Sequence, residues 1–120
     1  MSSYKERVQE SVRKERALNI LLSSSEKLPV IIERSVRSKL APTNNCIFKL
    51  HRTVTVNQLQ QMLRKILNIP ADQSMFLLAR SSIVSGNMCV KDLYAAFLDK
   101  DGFLYLNYCE ISPFGGESSH

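Results

Sequence analysis

At 120 residues and 44% hydrophobic content, the chain is long enough to bury one core and too short for two. Its 16 Lys and Arg against 11 Asp and Glu give a formal charge of +5, and nine of those bases against five acids precede Ala41, so the first third carries +4 of the total. Such a surface suits nucleic acid, anionic lipid or acidic peptide without choosing among them, while Cys46, Cys89 and Cys109, odd in number and without a C-x-x-C pair, suggest neither a disulfide framework nor a zinc site.

Ser3 with Glu6 three residues on has the spacing of a capping box, and Tyr4, Val8 and Val12 follow at helical intervals. The pattern blurs from Ala17 to Leu22 and Ser23-Ser24-Ser25 ends it, so a charged helical arm in two pieces with one buried stripe is expected. Leu28 to Glu33, short and β-branched, predicts a buried strand with Pro29 near its start. Pro42 to Asn45 reads as a turn. Cys46 to His51 alternates as a second strand, with Ile47, Lys49 and His51 on one face and Cys46, Phe48 and Leu50 on the other.

Thr55 and Gln58 form a second capping box, and Leu59, Met62, Leu63, Ile66 and Leu67 repeat at i, i+3, i+4, i+7 and i+8, which predicts a helix ending before Pro70. Met75 to Ala79 is a third strand, Ser81 to Asn87 a loop, and Val90, Leu93, Tyr94, Phe97 and Leu98 a second amphipathic helix. Asp99-Lys100-Asp101-Gly102 opens like a calcium loop, but its glycine comes too early and the terminal bidentate acid is missing, so a hairpin turn is expected. Phe103 to Tyr108 is the last strand, followed by a flexible tail of Ser, Pro and Gly. This order lays a long helix across a mixed sheet: an α+β, ubiquitin-like β-grasp with an additional N-terminal helical arm. The arm is placed at residues 1–25, the core at 26–110 and the tail at 111–120.

Catalysis finds no support. There is no phosphate-cradling glycine loop, no H-E-x-x-H and no G-x-S-x-G. A cysteine nucleophile paired with His51 would lack an orienting third group. No metal site or cofactor is expected, and the strands carry no aromatic ribonucleoprotein motif, which argues against nucleic acid. The N-terminus shows no apolar signal-peptide run and no stretch approaches the roughly 20 apolar residues of a membrane span, so a chain that starts out soluble in a reducing, cytoplasmic setting is expected.

Leu28-Pro29-Val30-Ile31, Thr55-Val56-Asn57-Gln58 with Arg64-Lys65, Asp99-Lys100-Asp101-Gly102-Phe103-Leu104-Tyr105 and Phe114-Gly115 together carry a resemblance. From Ile20 to Gly115 the chain resembles the autophagy ubiquitin-like modifiers of the GABARAP and light-chain-three family; before Ile20, Arg13 and Lys14 match basic positions and few others do. The resemblance implies a protein without activity of its own. A processing cysteine protease cuts it, ubiquitin-type activating and conjugating enzymes take it up, and it is joined through Gly115 to phosphatidylethanolamine on the autophagosomal membrane. There it would support membrane growth and bind receptors bearing aromatic-x-x-aliphatic motifs.

Carried over by position, one peptide pocket would use Ile20, Pro29, Ile47, Lys49 and Phe103, the other Phe48, Leu50, Val54, Leu59 and Met62, with Lys27, Arg64 and Lys65 as basic contacts. Leu59, Met62 and Val54 serve equally well as core residues. The sequence departs from the family pattern at Arg16, Ile47, Lys49, His51 and Ile66, and Gly116 is a neighbouring alternative to Gly115. A monomer before conjugation is expected. The alternative is a β-grasp peptide-binding adaptor that is never conjugated.

Overall fold

The computed structural model describes residues 2–110; Gly115 and the rest of the expected tail lie outside the described residues. The arm is two helices, α1 (Tyr4–Arg7) and α2 (Glu10–Ser23). Ser3 closes the expected capping box: its hydroxyl accepts the Glu6 N–H at 3.2 Å and the Glu6 carboxylate accepts the Ser3 N–H at 2.8 Å. The break between the helices falls at Val8 and Gln9, both extended.

Strand β1 (Lys27–Arg34) and strand β2 (Ile47–His51) are antiparallel, and α3 (Val56–Ile66) starts from the Thr55–Gln58 capping box. Then come β3 (Phe76–Ala79), β4 (Ser82–Ile83), α4 (Val90–Phe97) and β5 (Leu104–Cys109). The sheet order is β2-β1-β5-β3-β4, with β1 and β5 parallel at the centre and the other pairs antiparallel. This is the expected ubiquitin-like α+β arrangement.

One expectation needs correction. The segment 81–87 is not all loop, because Ser82–Ile83 pairs with Ala79 and Leu78 as a short edge strand. The connecting residues Arg80 and Ser81 hold φ of 50° and 68°, the mirror-image geometry of a two-residue hairpin. Such turns ordinarily announce themselves with Asn or Gly; here the Arg80 guanidinium lies over the Phe97 ring at 5.6 Å and helps to hold the turn.

Both faces of the sheet are covered, which is why β1 reads as a continuous apolar run rather than an alternation. On one face Val30, Ile32, Leu104 and Leu106 pack with Val56, Leu59, Leu63, Val90 and Leu93 of α3 and α4. On the other, Ile31 and Phe103 meet Tyr4, Ala17 and Ile20 of the arm.

Polar contacts lock the arm in place. Arg13 is buried: its Nε donates to Asp101 Oδ2 at 2.8 Å and its Nη1 to the Val8 carbonyl at 2.5 Å, so one guanidinium joins α1, α2 and the turn before β5. The Tyr4 N–H donates to Glu33, and Lys5 pairs with Asp99. Gly102, at φ 95°, sits so close to α2 that a Cβ there would stand 3.0 Å from the Ala17 Cβ.

Candidate functional site: an edge strand and a tail root

Strand β2 is an edge, and its register decides which backbone groups it offers. Pairs Leu28–Leu50 and Val30–Phe48 lie between the bonds Arg52 N–H to Glu26 C=O and Ile32 N–H to Cys46 C=O, both 2.9 Å. In an antiparallel ladder hydrogen-bonded pairs alternate, so residues 46, 48, 50 and 52 face β1 while 47, 49 and 51 turn their backbone groups outward. Two of these are occupied locally: Asn45 Oδ1 accepts the Ile47 N–H at 3.0 Å, and the His51 carbonyl accepts the Val54 N–H at 3.0 Å. Among the described residues, the N–H and C=O of Lys49 have no partner, leaving an open template for an added strand.

The side chains wrap around this edge. Ile47, half-buried, leans on the arm-side cluster, Phe48 on the helix-side core, and Lys49 is exposed. They join Ile66 and the turn Thr43, Asn44 and Asn45 to line an open groove of about 510 Å³. Of the residues expected at a peptide site, this groove gathers Ile47, Phe48 and Lys49. Ile20, Pro29 and Phe103 lie buried beneath the arm-side half, and Leu50 and Leu59 are buried in the main core, with Val54 and Met62 half-buried above them. The five buried residues lie in the two cores on opposite faces of the sheet rather than in the groove, whose other walls are Ile66 and the 43–45 turn.

The expected basic contacts divide as well. Lys27 and Lys65 are exposed, whereas Arg64 is committed to its own chain, donating to the Pro70 carbonyl at 3.1 Å and the Gln73 carbonyl at 2.6 Å. His51 lies 3.4 Å from Glu26 across the β1–β2 pair.

A second constellation gathers at the end of β5, where the chain leaves the described domain. Glu110 accepts the Ser38 hydroxyl at 2.7 Å and the Lys39 N–H at 2.8 Å through its two carboxylate oxygens, and its backbone carbonyl accepts the Ser74 hydroxyl at 2.6 Å. Partial burial pushes the Glu110 carboxyl up, but the Ser38 and Lys39 hydrogen bonds outweigh it and hold the pKa below the usual glutamate value. Nothing in the sequence pattern flags this clamp, which joins segments some 70 residues apart.

Among the described residues no group of three or more His, Cys, Asp or Glu is gathered for a metal ion, and no helix is long and apolar enough to cross a membrane.

Residues 12–115 match the family profile described as "Autophagy protein Atg8 ubiquitin like". The chain is 34% identical over 115 residues to Protein lgg-2 of Caenorhabditis elegans, covering 94% of this chain and 88% of that one. It is 27% identical over 119 residues to Autophagy-related protein 8 of Eremothecium gossypii, covering 99% of each. Microtubule-associated protein 1 light chain 3 gamma of Homo sapiens is 28% identical over 114 residues, 93% of this chain and 78% of that one. The crystal structure of Trypanosoma brucei ATG8 superposes with a TM-score of 0.88 at 27% identity, covering 96% of this chain and 99% of that one.

Proposed function

The chain belongs to the Atg8 family of ubiquitin-like autophagy proteins, and on that premise we propose that it is a modifier rather than an enzyme, processed after Gly115 and joined there to phosphatidylethanolamine. A cysteine protease hydrolyses the Gly115–Gly116 peptide bond and releases residues 116–120. The new Gly115 carboxylate attacks the α-phosphate of ATP and releases pyrophosphate, a partner thiol displaces AMP to form a thioester, and the phosphatidylethanolamine amine displaces the thiol to leave an amide. Glycine suits each step because an unbranched residue threads narrow channels and exposes its carbonyl to attack. The protein starts in the cytoplasm and reaches the autophagosomal membrane through its acquired acyl chains.

The observation that carries this reading is the extent of the family match, which runs through the folded domain and on to residue 115, the glycine itself. The same reading gives the β2 edge a role: the outward Lys49 backbone and the adjoining groove receive extended receptor peptides of aromatic-x-x-aliphatic type by strand addition. Ile20, Pro29, Phe103, Leu50 and Leu59 then support the edge strand from within, while Lys27 and Lys65 attract acidic residues flanking the motif.

Two glycine variants test the proposal. Gly115→Ala places a methyl at the reacting residue and is expected to accumulate uncut and unlipidated in cells that carry the conjugating enzymes. Gly116→Ala alters only the leaving side and is expected to behave like the parent. Equal lipidation of both variants would remove Gly115 from this role.

A further inference from the structure

The chain turns between β1 and β2 at a place where an apolar residue has no structural reason to be. Ser35 and Ser38 close a tight turn, with the Ser38 N–H donating to the Ser35 carbonyl at 3.0 Å, and this puts Val36 and Arg37 at its tip. Val36 is 99% exposed, the highest value of any exposed large hydrophobic residue described. Tips of this kind ordinarily carry Gly, Asn, Asp, Ser or Pro. Arg37 and Lys39 on the same turn are also exposed.

The turn is fastened to the root of the tail. The Ser35 N–H donates to the Tyr108 carbonyl at 2.9 Å, Ser38 and Lys39 hold the two Glu110 carboxylate oxygens, and Arg34 Nη1 donates to the Leu40 carbonyl at 2.7 Å. The parallel pairing of Arg34 with Tyr108 puts the ends of β1 and β5 at one pole of the domain. Gly115 lies five positions beyond Glu110, a reach of at most about 18 Å. A lipid joined at Gly115 therefore keeps this pole beside the bilayer.

We propose that the Ser35–Lys39 turn is a lipid-contacting surface, with Val36 entering the interface of the bilayer that holds the tail and Lys39 facing its anionic headgroups. The inference rests on the conjugation reading above. A tethered domain samples the surface at high effective concentration, so one apolar side chain and one cation suffice to orient it although they would not bind a free domain. The domain then presents its opposite pole, where α2 ends at Ser23 and β1 begins at Lys27, away from the membrane. The β2 edge stays accessible from the side.

The chain has no tryptophan, so a single introduced one reports cleanly. The form ending at Gly115, carrying Val36→Trp, is made as a C-terminal thioester and joined without enzymes to an amine-headgroup lipid in vesicles of phosphatidylcholine and phosphatidylserine. Leu22→Trp serves as the control, since Leu22 is 75% exposed at the far pole. The expected result is a blue-shifted Val36→Trp emission, quenched several-fold more by lipids brominated on their acyl chains than that of Leu22→Trp, and a several-fold loss of this quenching on adding Lys39→Glu. Quenching no greater than the control overturns the proposal, as does equal quenching on vesicles of phosphatidylcholine alone. Chemical anchoring keeps this outcome independent of cellular conjugation, which stands or falls on the Gly115→Ala experiment.

Discussion

Removing the Asp101 carboxylate is the sharpest test of how the arm is held. Its side chain has no solvent exposure and accepts from Arg13 Nε at 2.8 Å, from the Phe103 N–H at 2.9 Å and from the Tyr105 hydroxyl at 2.5 Å. Burial, followed by the hydrogen bond to Asp101, pushes the Tyr105 phenol well up, so it remains a donor across the whole working range. Asp101→Ala takes the acceptor from three donors, one of them the buried guanidinium. Breaking a buried ion pair from one side costs about 3 to 5 kcal/mol, a large share of the roughly 5 to 15 kcal/mol that holds a domain together. A melting temperature lower by about 10 °C or more is expected in calorimetry.

The loss should be uneven. Arg13 also holds the Val8 and Lys5 carbonyls at the end of α1, so hydrogen exchange is expected to accelerate across 4–23 far more than in α3. Adding Arg13→Met to Asp101→Leu removes both charges and should recover much of the stability. A loss below about 1 kcal/mol for Asp101→Ala, with unchanged exchange in the arm, would refute the view that this cluster pins the arm.

Three further outcomes are expected. Gly102→Ala forces φ 95° on an alanine and drives its methyl to 3.0 Å from Ala17, so denaturant unfolding should show a loss of about 1 to 2 kcal/mol at constant slope. Glu110→Gln should lower the melting temperature at neutral pH and converge with the parent in acid: a depressed folded-state pKa contributes stability that is present above the ordinary glutamate value and lost as pH falls through the folded one; a constant offset at all pH values would contradict the clamp. Ile66→Glu, at a residue 53% exposed on the groove wall, should weaken binding of an aromatic-x-x-aliphatic peptide by about 1 kcal/mol in titration calorimetry without altering the melting temperature; unchanged affinity would move the peptide site away from this groove. Leu50 is unsuitable for such a test because it belongs to the core, where a charged replacement unfolds the domain.

The features legible in the sequence are those written locally. Both capping boxes, the α3 periodicity and the alternation through β2 depend on residues within a few positions of one another, and the structure follows them. Alternation identified the face of Phe48 and Leu50 but not their depth, which depends on how closely α3 lies over the sheet; hence Leu50 and Leu59 are buried while Phe48 reaches the groove. The β4 hairpin escaped because Arg80 and Ser81 adopt left-handed geometry without the usual residues. Arg13 reads only as a basic position of the arm and Asp101 as part of a hairpin turn, since their pairing spans 88 positions. The groove wall likewise combines the 43–45 turn with Ile66, two segments that carry no mutual signal in sequence.

On the proposed reading the chain ends its maturation as a lipid amide of Gly115. Intact mass spectrometry of the membrane-bound protein from starved cells that express it beside a conjugating system tests this most directly. A chain ending at Gly115 that carries one phosphatidylethanolamine with the loss of one water is expected. A full-length chain that keeps residues 116–120 and remains cytosolic without an adduct would contradict it.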